Sequence, residues 1–414
     1  MIDTLDVWLD QGLVGHLHRD QRRRRLSFGY SEAAQAGGLG RPLVSLSMPV
    51  ATRSYPDGVA HPYFDGLLPE GDVRRTIAYD LGLEDADSFG LLAELGRECA
   101  GALTIQPGDR PAPAAPRVAK ALRLTEDELH QRIRDLSLHP LGVDGLVRAS
   151  LAGVQHKLLV TRLGHDRWGL PGEGSASTHI LKPANPALPG SAINEALCLR
   201  VAANLGLPAP EVRLLMIDGR DVIVVDRFDR TVNPDGTITR THQEDVCQAL
   251  SVSTVRPNAK YEQWGGPSLA DVAGLLRRWG DPDGVARLVE HVTLNVLIGN
   301  ADAHGKNVSI VHDKSGSIRL APIYDIFATV AYPQVSQEAS MRVNGKDHIN
   351  GITVADIIAE ARAWGVPVGQ AGGAVSLIVE RFDAAVLAAA AATPEADDEL
   401  VRLLLARSAN LGLT

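Results

Sequence analysis

The strongest constraint on the fold is a change of hydrophobic period near residue 226. Before it, short apolar runs alternate in strand fashion: Leu158-Leu-Val160, His179-Ile-Leu-Lys182 and Asp221-Val-Ile-Val-Val225. One helix interrupts them at residues 192–205, where Ile193, Leu197, Val201 and Leu205 recur four apart. After Asp226 the pattern is mostly helical, over residues 268–279, 285–298, 354–363, 373–391 and 399–405. A strand-rich half joined to a helix-rich half by one short connector predicts an α+β, two-lobed arrangement, with lobes at 121–228 and 229–414.

The first 106 residues read as a separate mixed module. Leu5-Val7-Leu9 and Leu26-Phe28-Tyr30 alternate, and Val44, Leu46, Met48 and Val50 continue that period. A loop, Phe64-Asp-Gly-Leu-Leu-Pro-Glu-Gly71, precedes helices expected at 72–81 and 88–95, and residues 101–105 suit a returning strand. Residues 107–116 hold four prolines among small residues and are read as the core of a linker over 107–120. Beyond it, Thr125-Glu-Asp-Glu128 has the spacing of a capping box, opening a helix over 125–136.

Composition narrows the function classes. A formal charge of -9 and only 4% aromatic residues argue against a chain that grips nucleic acid unaided. The one basic run, Arg22 to Arg25, lies between two strand-like segments and reads as a hairpin end. Cys99, Cys198 and Cys247 are far apart, an odd set without zinc spacing, as expected of reduced core thiols. The N-terminus lacks a signal-peptide pattern, and the Ala-rich run near Ala388 is too short to span a bilayer, so the expected location is cytoplasmic.

The chemistry-bearing stretch is Asn300-Ala-Asp-Ala-His-Gly-Lys-Asn307, followed by Tyr324-Asp325. Phosphoryl transfer needs a carboxylate for the attacking hydroxyl, oxygen ligands for magnesium and cations against the phosphates. Asp302 and Asn307 stand five apart after an apolar helix, the spacing of base and metal-binding Asn in a kinase catalytic loop. A hairpin over 308–310 and 318–320 can return Asp325 to Asn307 as the second magnesium ligand, while Lys306 suits a phosphate contact. Lys182 is the strand lysine expected to pair the ATP phosphates. Glu195 either holds Lys182 or merely favours a helix N-terminus. Ser150-Leu-Ala-Gly-Val-Gln-His-Lys157 lies where a phosphate-covering loop belongs, which makes Ala152, Gly153, Val154 and Gln155 nucleotide candidates, although it carries one glycine. Phe228, after the buried strand, is a hinge or a core residue.

Together these residues resemble the HipA family of bacterial toxin–antitoxin kinases. The resemblance rests on Phe64–Gly71, Ser150-Leu-Ala-Gly-Val-Gln155, His179-Ile-Leu-Lys182, Arg227-Phe-Asp-Arg230, Gln243-Glu-Asp-Val-Cys-Gln248, Ala301–Asn307 and Tyr324-Asp325. It implies a protein-kinase-like fold whose N-terminal α/β module packs on the N-lobe. It also implies a serine/threonine kinase using ATP and Mg2+, with Asp302 as base, Asn307 and Asp325 on the metal, and Lys182 on the phosphates. Asp226, Phe228, His304 and Tyr324 then lie at the nucleotide. Ser150 occupies the position of a serine phosphorylated in trans, whose modification expels the loop. The implied partners are a helix-turn-helix antitoxin (HipB-like), operator DNA through that antitoxin, and an aminoacyl-tRNA synthetase such as glutamyl-tRNA synthetase. One departure is Asp226, where the family usually has Glu.

Two other readings compete. Small-molecule phosphotransferases share Asp-x-His-x-x-Asn, but this chain has no His or Gly directly before Asp302 and carries the extra N-terminal module. A pseudokinase that only stabilises an antitoxin on DNA is disfavoured by the complete set of chemistry residues.

Overall fold

The computed structural model describes every residue except 1, 2, 21, 23, 142–148, 154, 282, 314, 315, 413 and 414. The chain divides into two compact units. The first comprises Met1–Pro183, Asp226–Ala259 and Val311–Gly316; the second comprises Ala184–Val225, Lys260–Ile310 and Ser317–Thr414.

In the first unit an antiparallel sheet runs in the order Arg25–Tyr30, Gly12–Asp20, Thr4–Leu9, Leu103–Pro107. Alternation works as expected: Leu5, Val7, Leu26, Phe28 and Tyr30 point into the core. At the basic run, Asp20 pairs with Arg25 across the hairpin, and Arg23 lies outside the described residues. Helices Asp57–Asp65, Gly71–Asp80 and Ser88–Leu95 follow. Residues 44–50 do not form the expected strand. Val44, Leu46, Met48 and Val50 are all buried, but through a tight turn bridged between Ser45 and Met48. Glu244 holds that turn, accepting from Ser45 Oγ at 2.6 Å and from the Leu46 N–H at 2.8 Å. Period-2 burial here comes from tertiary anchoring rather than a ladder.

The unit also contains strands in the order Leu122–Arg123, Arg167–Leu170, Leu158–Gly164, His179–Pro183. Thr125 and Glu128 close the anticipated capping box of helix Glu126–Arg134. Past Asp226 the chain is not yet helical. Arg230–Val232, Ile238–Arg240 and His242–Asp245 are strands, because this segment remains with the strand-rich unit.

The second unit carries helices Ser191–Asn204, Leu269–Arg278, Gly284–Ile298, Val354–Ala363, Val368–Ala391 and Asp398–Gly412, with the hairpin formed by strand Val212–Ile217 and residues 220–225. Strands Glu338–Val343 and Lys346–His348 interrupt the helical run. Ser268–Asp271 and Thr353–Asp356 are capping boxes, which fix where two helices begin. The long helix starts at Val368, directly after Pro367, five residues before the periodicity becomes visible. No helix among the described residues is long and apolar enough to cross a membrane. All three cysteines are buried, and burial pushes the Cys99 and Cys198 thiols up to about 12.

Two buried histidines give the fold an acid sensitivity. His242 donates from Nε2 to the Val44 carbonyl (2.8 Å) and accepts the Ala102 N–H at Nδ1 (3.4 Å), so its neutral form uses both nitrogens. Burial, aided by neighbouring His312, pushes its pKa down to about 3; burial lowers His291 to about 4. The unfolded chain therefore binds protons that the folded chain refuses below about pH 6.5. This part of the stability is complete above pH 6.5 and is lost as pH falls toward 4, at about 1.4 kcal/mol per pH unit for each ring. Denaturant melts between pH 7.5 and 5 should show that decline, and a folded His291→Asn variant should lose one ring's share of the slope. An unchanged slope would count against the neutral assignment.

Candidate active site

The predicted catalytic residues Asp302, Lys306, Asn307 and Asp325 lie in the second unit, after helix Gly284–Ile298, whose buried face carries Leu288, Val292 and Val296. Gly299 ends it at φ 72°, in the left-handed region. A Cβ at this position would run into Val330 and lie 2.8 Å from Arg407 Nε, so only glycine fits. Arg407, from the last helix, satisfies terminal carbonyls: Nη2 donates to Val296 O (2.7 Å) and Nε to Leu297 O (3.0 Å).

The loop after this helix is fixed through its backbone. The Ala301 N–H donates to Thr329 Oγ1 (2.9 Å), and the Ala301 carbonyl accepts from Ser340 N–H (2.9 Å) and Ser340 Oγ (2.7 Å). Asn300 Oδ1 accepts the Asp302 N–H at 3.1 Å. The Asp302 carbonyl accepts from His304 N–H (2.9 Å) and from Asn307 Nδ2 (3.0 Å), which closes the five-residue interval on itself. Asp302, Asn307, Tyr324 and Asp325 are part-exposed, whereas His304 and Lys306 are buried.

Tyr324 and Asp325 are brought to this loop. The Tyr324 hydroxyl donates to the Lys306 carbonyl (2.8 Å) and lies 2.6 Å from Ser309 Oγ. Asn194 holds the far end of the segment, donating to Ala328 O (3.2 Å) and accepting Ala328 N–H (2.8 Å). Asp325 itself has φ 54°, a left-handed conformation that a non-glycine residue adopts at a cost and that clusters at functional sites. Asn307 and Asp325 supply hard oxygen donors of the kind magnesium takes. Among the described residues no group of three or more His, Cys, Asp or Glu converges on a metal position.

The first unit carries the other predicted residues. Lys182, buried, lies in strand His179–Pro183. In the loop before strand Leu158–Gly164, Lys157 Nζ donates to Ala152 O (2.7 Å) and Gln155 Nε2 reaches Pro183 O (3.4 Å). Gly153 has φ 112°, and a Cβ there would lie 2.7 Å from Lys157 Nζ, so the loop's one glycine is required. Val154 falls outside the described residues. Ser150 is fully buried: its hydroxyl donates to Leu67 O (2.6 Å) and its N–H to Glu98 O (2.7 Å). The Glu70 N–H reaches Gly153 O at 3.4 Å, so residues 67–70 and 98 clasp the loop.

Asp226 Oδ1 lies 2.9 Å from His179 Nε2, outside good hydrogen-bond alignment, so the shorter acid is drawn to the strand that carries Lys182. Phe228 is only half-buried, unlike a core phenylalanine. Between them, Arg227 donates its N–H to Thr178 O (2.9 Å) and its guanidinium to Asp229 and Ser177. Glu195 is the fifth residue of helix Ser191–Asn204, beyond the first turn, which removes the helix-terminus reading. The sequence offered no signal for Arg407, Asn194 or Tyr261, single residues whose partners are 30 or more positions away.

Residues 5–106 match the HipA N-terminal domain and residues 149–390 the HipA-like C-terminal domain. Y4mE of Sinorhizobium fredii is 38% identical over 387 residues, spanning 92% of this chain and 89% of that protein. The serine/threonine-protein kinase toxin HipA of Shewanella oneidensis is 28% identical over 410 residues, spanning 96% and 91% respectively. In the solved complex of Shewanella oneidensis HipA, HipB and operator DNA, one chain matches with a TM-score of 0.83 at 24% identity, over 98% of this chain and 95% of that one. That likeness establishes the α+β, kinase-like fold. With more than half its length matching the C-terminal domain, and a relative 38% identical across nearly all of it, the chain belongs to the HipA family.

Proposed function

We propose that the chain is a serine/threonine protein kinase that transfers the γ-phosphoryl group of ATP to a protein hydroxyl. The observation that carries this reading is the loop from Asp302 to Asn307, closed on itself by Asn307 and adjoined by Tyr324-Asp325. Asp302 takes the proton of the attacking hydroxyl as its oxygen bonds to the γ-phosphorus and the bond to the β-phosphate oxygen breaks. Asn307 and Asp325 would hold Mg2+, which would neutralise phosphate charge there. Lys182 and the loop of residues 150–157 hold the phosphates, Lys306 supports the transferred group, and Asp226, Phe228, His304 and Tyr324 border the nucleotide.

The same reading makes Ser150 an off-switch. A serine with no exposed surface cannot receive a phosphate where it sits, and a dianion there would have neither room nor the Leu67 carbonyl as a partner. Phosphorylation by a second copy therefore requires the loop to leave, and the modified loop stays out. In this account residues 1–106 form a module that clasps the loop, 107–120 a linker, and the lobes follow at 121–228 and 229–414. The physiological setting is a cytoplasmic toxin, neutralised by a HipB-like antitoxin on operator DNA, acting on a translation factor of the aminoacyl-tRNA synthetase type.

The test is to incubate dephosphorylated full-length protein with Mg·ATP and take intact mass and a peptide map. One added phosphoryl group on Ser150 is expected, with ATP affinity falling as it accumulates. Lys182→Ala should bind ATP more weakly from the start. No transfer while ATP still binds would favour a pseudokinase that acts only through its partner.

A further inference from the structure

Beside the catalytic loop lies a turn that the kinase reading leaves unused: Lys260-Tyr-Glu-Gln-Trp-Gly265. The Tyr261 hydroxyl donates to Asp302 Oδ1 at 3.0 Å. Its ring stands edge-on to His304, with centroids 5.3 Å apart and planes at 87°. The turn that carries it is rigid. The Tyr261 carbonyl accepts from the Trp264 N–H (3.0 Å) and the Gly266 N–H (2.9 Å), and Gly265 closes the turn at φ 88°. Glu262 then ties it to strand Glu338–Val343, accepting the Arg342 N–H at Oε2 (2.7 Å). Two residues along that strand, Ser340 holds the Ala301 carbonyl. The contacts form a closed circuit: Asp302 to Tyr261, Glu262 to Arg342, and Ser340 back to Ala301.

This circuit has a mechanical consequence. The loop's backbone is held from one side through Ser340 and Thr329, which leaves rotation of the Asp302 side chain to be controlled. A carboxylate that must meet an incoming hydroxyl in one orientation loses rate when it samples others. A neutral phenol donating to one oxygen sets the carboxylate plane without supplying a charge that would neutralise the base. The edge-on contact with His304 and the doubly anchored carbonyl restrict the ring that carries the donor. We infer that Tyr261 is the positioning residue for Asp302, and that Glu262 anchors the turn that aims it. This rests on the kinase reading, in which Asp302 is the base.

The experiment uses full-length enzyme with saturating Mg·ATP and, as substrate, an Asp302→Asn copy that presents Ser150 but cannot modify itself. Tyr261→Phe keeps the ring and removes only the donor. It should lower the maximal transfer rate by about ten- to hundredfold, with ATP affinity and melting temperature unchanged. Tyr261→Ala, which also removes the ring from His304, should lower the melting temperature as well. Glu262→Gln retains an oxygen for the Arg342 N–H and should keep most of the rate; Glu262→Ala should not. Because both residues act through one circuit, Tyr261→Phe with Glu262→Ala should fall little below Tyr261→Phe alone.

A Tyr261→Phe rate equal to or above wild type overturns the inference and leaves the kinase reading intact. So does a loss that appears wholly in ATP affinity, or one accompanied by as large a drop in melting temperature as Tyr261→Ala. Absence of transfer by the wild-type enzyme removes the kinase reading, and the inference with it.

Discussion

Asp302→Asn is expected to lower phosphoryl transfer to Ser150 of a second copy by about 10²- to 10⁴-fold, the range a positioned general base contributes. Asparagine is nearly isosteric, and its amide oxygen can still accept from the Tyr261 hydroxyl that now meets Asp302 Oδ1. The backbone contacts of the loop, from Ala301 to Thr329 and Ser340 and from Asn307 to the residue-302 carbonyl, do not involve the lost carboxylate. ATP affinity and melting temperature should therefore stay close to wild type while turnover collapses. Single-turnover transfer with radiolabelled ATP measures the rate, and calorimetric titration the affinity. If growth arrest on expression without a partner also vanishes in this variant, toxicity is enzymatic; if arrest persists at full strength, the chain acts by binding alone.

Glu98→Ala should be the most damaging substitution far from the loop of residues 300–307. Glu98 is buried, and its carboxylate accepts from Ser177 N–H and Oγ, Arg227 Nη1, Arg230 Nη2 and Arg240 Nη2, at 2.8–3.4 Å. Asp229 completes the cluster through Arg227, Arg230 and the Gly101 N–H. Burial alone would raise both carboxyls, but the arginines override it: Arg230, Arg240 and Arg227 hold Glu98 below the usual range, and Arg227 and Arg230 do the same for Asp229. With Glu98 gone, three guanidiniums share one buried acid. Removing a single partner from such a set costs about 3–5 kcal/mol. Glu98→Gln should cost less, since its amide oxygen can still serve Ser177. Urea melts at pH 7 decide this, and a loss under about 1 kcal/mol would mean the cluster relaxes or hydrates. The same carboxylates place a second acid limit on stability: their contribution is fully present above the unfolded carboxyl range near pH 4 and is lost progressively as pH falls below it toward their depressed folded values.

The network shows what a linear reading misses. Arg227-Phe-Asp-Arg230 was legible as a motif, yet nothing in its spacing said that Glu98, more than 120 residues earlier, would neutralise it. The loop of residues 150–155 was likewise visible as a phosphate-loop candidate, but its clasp by Leu67, Glu70 and Glu98 was not. Residues 44–50 misled for a related reason. Their alternation is real burial, produced by a turn that Glu244 anchors from almost 200 positions away.

Where local chemistry decides, the sequence was sufficient. The capping boxes at Thr125, Ser268 and Thr353 start helices because a side-chain oxygen and an acid three residues on satisfy orphan N–H groups within one turn. The pair Asp302 and Asn307 stands at kinase spacing because the interval closes on itself through a bond between its own ends. Tertiary structure alone decided the rest: that Arg407 caps helix Gly284–Ile298, that Asn194 fixes the segment after Asp325, and that Tyr261 meets Asp302. Each rests on one or two hydrogen bonds between residues far apart in the chain. Its partners are chosen by which helices and strands pack together, and that packing is set by burial of whole faces rather than by any pattern local to the residues involved.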